Sequence, residues 1–174
     1  MGILGDFTSY RVTQRSYNSK DMFVYAKDYK QYLQVLTAIK TKCPSRIYGY
    51  CLLPKLIELI IQPASLPFLN RFMRDVGVQY NAYLVGRYHE TEPVLSKYFR
   101  IQPLLTDAEL IKAITEIEFL PVRHNLTVSP GGYAYSSFSM RVSMTDKEHD
   151  QSVMDYTLVP NSPPLVGGGR GGVD

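Results

Sequence analysis

Tryptophan is absent from this chain of 174 residues, and histidine and cysteine are scarce: His89, His124 and His149, with Cys43 and Cys51. The three histidines are scattered and the two cysteines lie far from them. No zinc-type spacing, Ser-His-Asp set or glycine-rich phosphate loop can be assembled. Two cysteines make no disulfide framework. They are expected to be small buried hydrophobes in a reducing compartment. No apolar run approaches the ~20 residues that a membrane span needs, so no membrane association is expected. Met1-Gly2-Ile3-Leu4-Gly5-Asp6 lacks a basic stretch followed by an apolar core, and Asp6 breaks the myristoylation pattern. A cytoplasmic location is the expectation, nucleoid-associated if the chain binds DNA.

What is present is an ordinary globular composition, 45% hydrophobic and 20% charged, with 14 tyrosines. Residues 1–140 carry 16 Lys/Arg against 11 Asp/Glu, whereas residues 141–174 carry 3 against 5. A basic body of this kind fits a nucleic-acid partner without requiring one. Pro160-Asn161-Ser162-Pro163-Pro164 and Gly167-Gly168-Gly169-Arg170-Gly171-Gly172 cannot bury enough apolar surface to order. The chain is therefore expected to form one domain over residues 1–158, followed by a flexible tail over 159–174.

Weak alternation predicts a strand over 9–16. Tyr29, Tyr32, Leu33, Val35, Leu36 and Ile39 recur at helical spacing over 28–42, with Asp28 as N-cap and Pro44 closing the helix. Apolar runs predict strands over 46–53 and 56–62. A second helix spans 67–85, with Leu69, Phe72, Met73, Val76, Tyr80 and Tyr83 on one face. A strand near 94–101 and a helix over 107–119 follow, the latter opened by the capping box of Thr106 and Glu109. The order predicts an α+β, ferredoxin-like split β-α-β sandwich: an antiparallel sheet with helices on one face.

Three blocks then carry a resemblance over residues 9–138. Tyr48-Gly49-Tyr50-Cys51-Leu52-Leu53-Pro54-Lys55-Leu56-Ile57-Glu58-Leu59-Ile60-Ile61 resembles a strand pair of the form Y-A-Y-V-L-M-P-N-H-V-H-L-L-I. Phe72-Met73-Arg74-Asp75-Val76-Gly77 with Tyr80 and Tyr83 is similar to the helix pattern L-M-R-x-(hydrophobe)-G-x-x-Y-x-x-Y-(hydrophobe)-N. Ile117–Arg123 with Pro130–Phe138 resembles Y-I-x-x-N-P-V-R-A-x-L-V followed by P-x-x-Y-x-W-S-S-Y. These are blocks of the REP-associated, single-tyrosine HUH transposases.

The resemblance implies a tyrosine that attacks single-stranded DNA to give a 5′-phosphotyrosine, with Mg or Mn polarising the phosphate. It puts Tyr80 at the nucleophile position. The metal histidines fall at Leu56 and Glu58, and the third, polar ligand falls at Val85, or Leu84 if the register slips by one. A divalent cation wants several N or O ligands. Leu56 and Val85 offer none, so no metal cofactor is expected and Tyr80 is left a vestigial nucleophile. Glu58 is expected to pair with Arg11 or Arg15.

The resemblance also implies a partner: hairpin or single-stranded DNA. Arg11, Arg15, Arg71, Arg74, Arg87, Lys97, Arg100 and Arg123 are the candidate phosphate contacts, with Tyr10, Tyr83, Tyr88, Tyr98 and Phe99 as stacking residues. Family members occur as monomers and as dimers, which leaves a homodimer open. Three readings follow: a DNA-binding protein that has lost cleavage, an active nickase with a metal site rebuilt around Glu58, or a protein-interaction module.

Overall fold

A computed structural model describes residues 8–143; the expected tail, 159–174, lies outside them. Strand β1 (Ser9–Ser16) leads to helix α1 (Ala26–Lys42), then the hairpin β2 (Ser45–Leu53) and β3 (Leu56–Pro63). Helix α2 (Leu66–Tyr88), strand β4 (Leu95–Leu104), helix α3 (Asp107–Glu118) and the short helices α4 (Leu120–Arg123) and α5 (Ser137–Ser143) complete the chain. The four strands form one antiparallel sheet in the order β2-β3-β1-β4. The fold is the expected α+β sandwich.

The sheet has two apolar faces because β2 and β3 are buried on both sides. Ile47, Tyr50, Leu52, Ile57, Leu59 and Ile61 meet Tyr32, Leu36 and Ile39 of α1 and Leu69, Phe72, Val76 and Tyr80 of α2. On the other side Tyr48, Cys51, Leu53, Leu56 and Ile60 meet Leu110, Ala113, Ile114 and Ile117 of α3. α1 and α2 are the helices of the predicted face, and α3 adds a layer on the opposite one. Neighbouring strand residues point to opposite faces; a register shift between Ile47 and Gly49 lets both Tyr48 and Gly49 lie on the α3 side. At Gly49 α3 packs tightly on β2: a Cβ there would stand 3.2 Å from Ile117 Cδ1.

Helix α1 begins earlier than its apolar spacing indicates. Its N-cap is Tyr25, and Asp28, expected at that position, lies inside the first turn as N3. The carboxylate does cap, by accepting from the Val24 and Tyr25 N–H groups at 2.9 and 2.8 Å. α3 starts as predicted: Thr106 Oγ1 accepts from the Glu109 N–H, and Glu109 reaches back to the Thr106 N–H. Both cysteines are buried and free. Cys43 sits in the core under α1 and α2, Cys51 in the one under α3. No helix among the described residues is long and apolar enough to cross a membrane.

Candidate functional site

Glu58 lies on β3, an interior strand, with its side chain on the α3 side of the sheet. The residue is 4% exposed. Burying a carboxylate among Leu56, Ile60 and Cys51 is costly unless each oxygen finds a partner. Both do. Oε2 accepts from Arg11 Nε at 2.9 Å, and Oε1 from the Thr13 hydroxyl at 3.0 Å. These donors come from β1, where Thr13 stands directly across from Glu58 and Arg11 across from Ile60. Arg11 then donates through Nη1 to Glu116 of α3 at 2.8 Å. A guanidinium therefore joins two carboxylates between sheet and helix, as expected for Arg11 and not for Arg15. Cys51, in register with Glu58, has its thiol pushed up to about 12 by burial and by the Glu58 charge.

Tyr80 is elsewhere. It lies fully buried on α2, on the opposite side of the sheet from Glu58. Its hydroxyl is enclosed, donating to the Met22 carbonyl at 2.7 Å. Burial, then the nearby Asp28 carboxylate, push its phenol far above the ordinary tyrosine range. Leu56 is buried beside Glu58, whereas Val85 is 43% exposed on α2. The four positions aligned with the nucleophile and metal ligands thus do not converge. Fold and register explain this: Glu58 and Tyr80 occupy opposite faces of the same sheet. Leu84, the alternative third position, is buried in the core under α1 and α2. Among the described residues no three His, Cys, Asp or Glu side chains are placed to hold a metal ion. The donor set does not fit a divalent cation: Leu56 supplies no electron pair, and both oxygens of Glu58 are taken.

The second buried carboxylate, Asp28, organises a tyrosine cluster. The Tyr83 hydroxyl donates to Oδ1 and the Tyr88 hydroxyl to Oδ2, each at 2.7 Å, and Arg87 Nε lies 3.2 Å from Oδ1. Burial alone would raise the Asp28 carboxyl. The Tyr25 N–H, Tyr88, Tyr83 and the Val24 N–H outweigh it and hold the group below its ordinary value. The Tyr83 phenol is pushed up to about 12, first by desolvation and then by its bond to Asp28. Sequence spacing missed this cluster, since Asp28 read as a helix cap and the two tyrosines as stacking residues.

The candidate phosphate contacts divide sharply. Arg11 is spent on Glu58 and Glu116, and Arg87 on Asp28. Arg71 and Arg74 both approach Asp75, at 3.6 and 3.2 Å, on exposed α2 surface. Arg15, Lys97, Arg100 and Arg123 are exposed and make no ion pair among the described residues. The stacking candidates divide too. Tyr10 is buried, Tyr83 and Tyr88 hold Asp28, and Phe99 packs on the core under α1 and α2. Tyr98 alone among them stands in solvent, 69% exposed.

The third sequence block closes the outer edge of β2. The Leu52 N–H donates to the Tyr135 carbonyl at 2.9 Å, and the Tyr133 hydroxyl to the Leu52 carbonyl at 2.6 Å. Ser137 Oγ accepts from the Tyr50 N–H and donates to Glu118, which also pairs with Arg141.

This arrangement matches known proteins at the level of fold. A REP-associated tyrosine transposase, solved bound to a REP hairpin, superposes with a TM-score of 0.67 at 12% identity, covering 90% of this chain and 93% of that one. A presumed transposase from Deinococcus radiodurans gives 0.48 at 10% identity over 68% of this chain and 95% of that one. No family model and no curated protein matches the sequence. The fold is transposase-like.

Proposed function

We propose that this chain is a transposase-derived DNA-binding protein that recognises hairpin or single-stranded DNA and does not cut it. One observation carries the loss of cleavage: the Glu58 carboxylate, at a metal-ligand position, is held at both oxygens by Arg11 and Thr13. A cation would have to displace a guanidinium that is itself shared with Glu116. The buried Tyr80 hydroxyl, bonded to Met22, cannot reach a phosphate in solvent. Binding needs neither group, since phosphate affinity comes from lysine and arginine. The hairpin held by the transposase of like fold supports the choice of DNA, as do the exposed, unpaired candidates Arg15, Lys97, Arg100 and Arg123. A nucleoid-associated location follows from that reading.

The test is a labelled hairpin with a single-stranded flank, incubated with the full chain in Mg or Mn. Retention that weakens with rising salt, without nicked product or covalent adduct, is the expected result. Tyr80→Phe should bind as the parent does. Metal-dependent nicking abolished by Tyr80→Phe would instead establish a nickase. No retention at low salt would leave a protein-interaction module.

A further inference from the structure

We propose that the exposed stretch of β4 around Tyr98 and Arg100, with the end of β1 beside it, is a platform for unpaired DNA bases, with Tyr98 as its stacking residue. The proposal rests on the DNA-binding reading above and assigns its surface. Phe99 packs toward α1 and α2, so its neighbours Tyr98 and Arg100 project from the opposite face. Arg100 stands across from Thr13 in the β1–β4 register. Beyond it the register shifts between Gln14 and Ser16, which places Arg15 beside the Tyr98 end of β4. Lys97 lies at the same end, its Nζ 5.1 Å from the Tyr98 ring centroid.

Three of the four candidate phosphate contacts that are exposed and unpaired among the described residues are thus gathered around the one exposed aromatic among the stacking candidates. The fourth, Arg123, ends α4, which packs near β2 at the far side of the sheet. Glu58 and Glu116, carboxylates on that side of the sheet, are occupied by Arg11. Among the described residues no further strand pairs with the outer edge of β4. By contrast, the outer edge of β2 is closed by the Tyr133–Ser137 segment. A phenol ring in solvent can stack only on a base released from pairing, and flanking cations then track the backbone. That chemistry selects unpaired over duplex DNA.

Fluorescence anisotropy of the full chain with labelled oligothymidine, and with a blunt duplex, tests this. Tyr98→Ala should weaken single-strand binding roughly 5- to 150-fold, the span of one base stack. Tyr98→Trp should retain it. Arg15→Ala, Lys97→Ala and Arg100→Ala should each lower the slope of log affinity against log salt by about 0.7. All four sites are exposed, so unchanged circular dichroism is expected. Duplex bound as tightly as single strand overturns the platform. So does parent-like binding by Tyr98→Ala and Arg100→Ala when Arg71→Ala or Arg123→Ala weakens it, and the DNA reading then survives. Failure of the parent to bind any DNA removes both.

Discussion

Arg11 shows what a single residue must do when a charge is left inside an apolar sheet. Glu58 sits on the apolar side of the sheet shared by Leu56, Ile60 and Cys51, and its partners arrive from β1 because Thr13 is in register with it. Breaking one member of such a pair costs far more than the pair contributes, because the other charge is stranded. Arg11→Ala should therefore destabilise the protein by about 3 kcal/mol in urea unfolding, the low end for buried pairs, since the Arg11 side chain is 19% exposed. Combining it with Glu58→Leu should recover most of that loss, and a purely additive double variant would refute the coupling. Asp28 supplies the pH-dependent counterpart. Its folded value lies below the ordinary 3.8, so its contribution is fully present above that value and is lost as pH falls through the folded one. Asp28→Asn should lower the unfolding midpoint at neutral pH, with a gap to the parent that closes as the pH falls below 3.8. A gap that stays constant down to acid pH would rule out ionisation as the source.

Individual elements were readable wherever their signals were local. The capping box of Thr106 and Glu109 announces α3, and the Leu53-Pro54-Lys55 corner separates β2 from β3. The start of α1 was not readable, because Asp28 caps from inside the first turn with help from tyrosines about 55 to 60 residues away. That Glu58 and Tyr80 lie on opposite sides of the sheet was hidden for the same reason. Strand pairing fixes side-chain direction, and a shift of one residue inverts it. Arg11 was foreseen as a partner for Glu58, whereas Glu116 and the consumption of Arg87 by Asp28 depend on long-range packing. Gly49 had a meaning legible only with α3 in place: a glycine inside a strand often marks a close approach. Gly49→Ala must move Ile117 by a few tenths of an ångström, and Gly49→Val by more. We expect losses of about 1 and 3 kcal/mol respectively, the range for overpacked cores. Equal stability of parent and Gly49→Val in urea would mean that α3 is not seated on β2.

At the scale of the whole molecule, the sheet divides the interior into two cores of unequal size. Among the described residues the one beneath α1 and α2 gathers 24 buried residues, including Tyr32, Phe72 and Tyr80; the one beneath α3 gathers 11. Apolar burial is the main favourable term in folding, so the two layers should not be equally firm. α1 and α2 also pack on each other and share the Asp28 cluster, which ties the start of one to the end of the other. Asn81 adds a clamp from α2 to β4 by accepting from the Val94 and Leu95 N–H groups and donating to the Leu95 carbonyl. α3 is tied to β1 mainly through Arg11 and Glu116. Regions with fewer buried apolar contacts open at lower free energy than the global transition. Native-state amide exchange should find the α3 amides opening at least about tenfold more often than those of α1 and α2, a difference near 1.4 kcal/mol. Arg11→Ala should widen that gap, because it removes the tie between β1 and α3 while leaving the larger core intact. Exchange of α3 only with global unfolding would show instead that the two layers form one cooperative unit, with Glu58, Arg11 and Glu116 as the joint that makes them so.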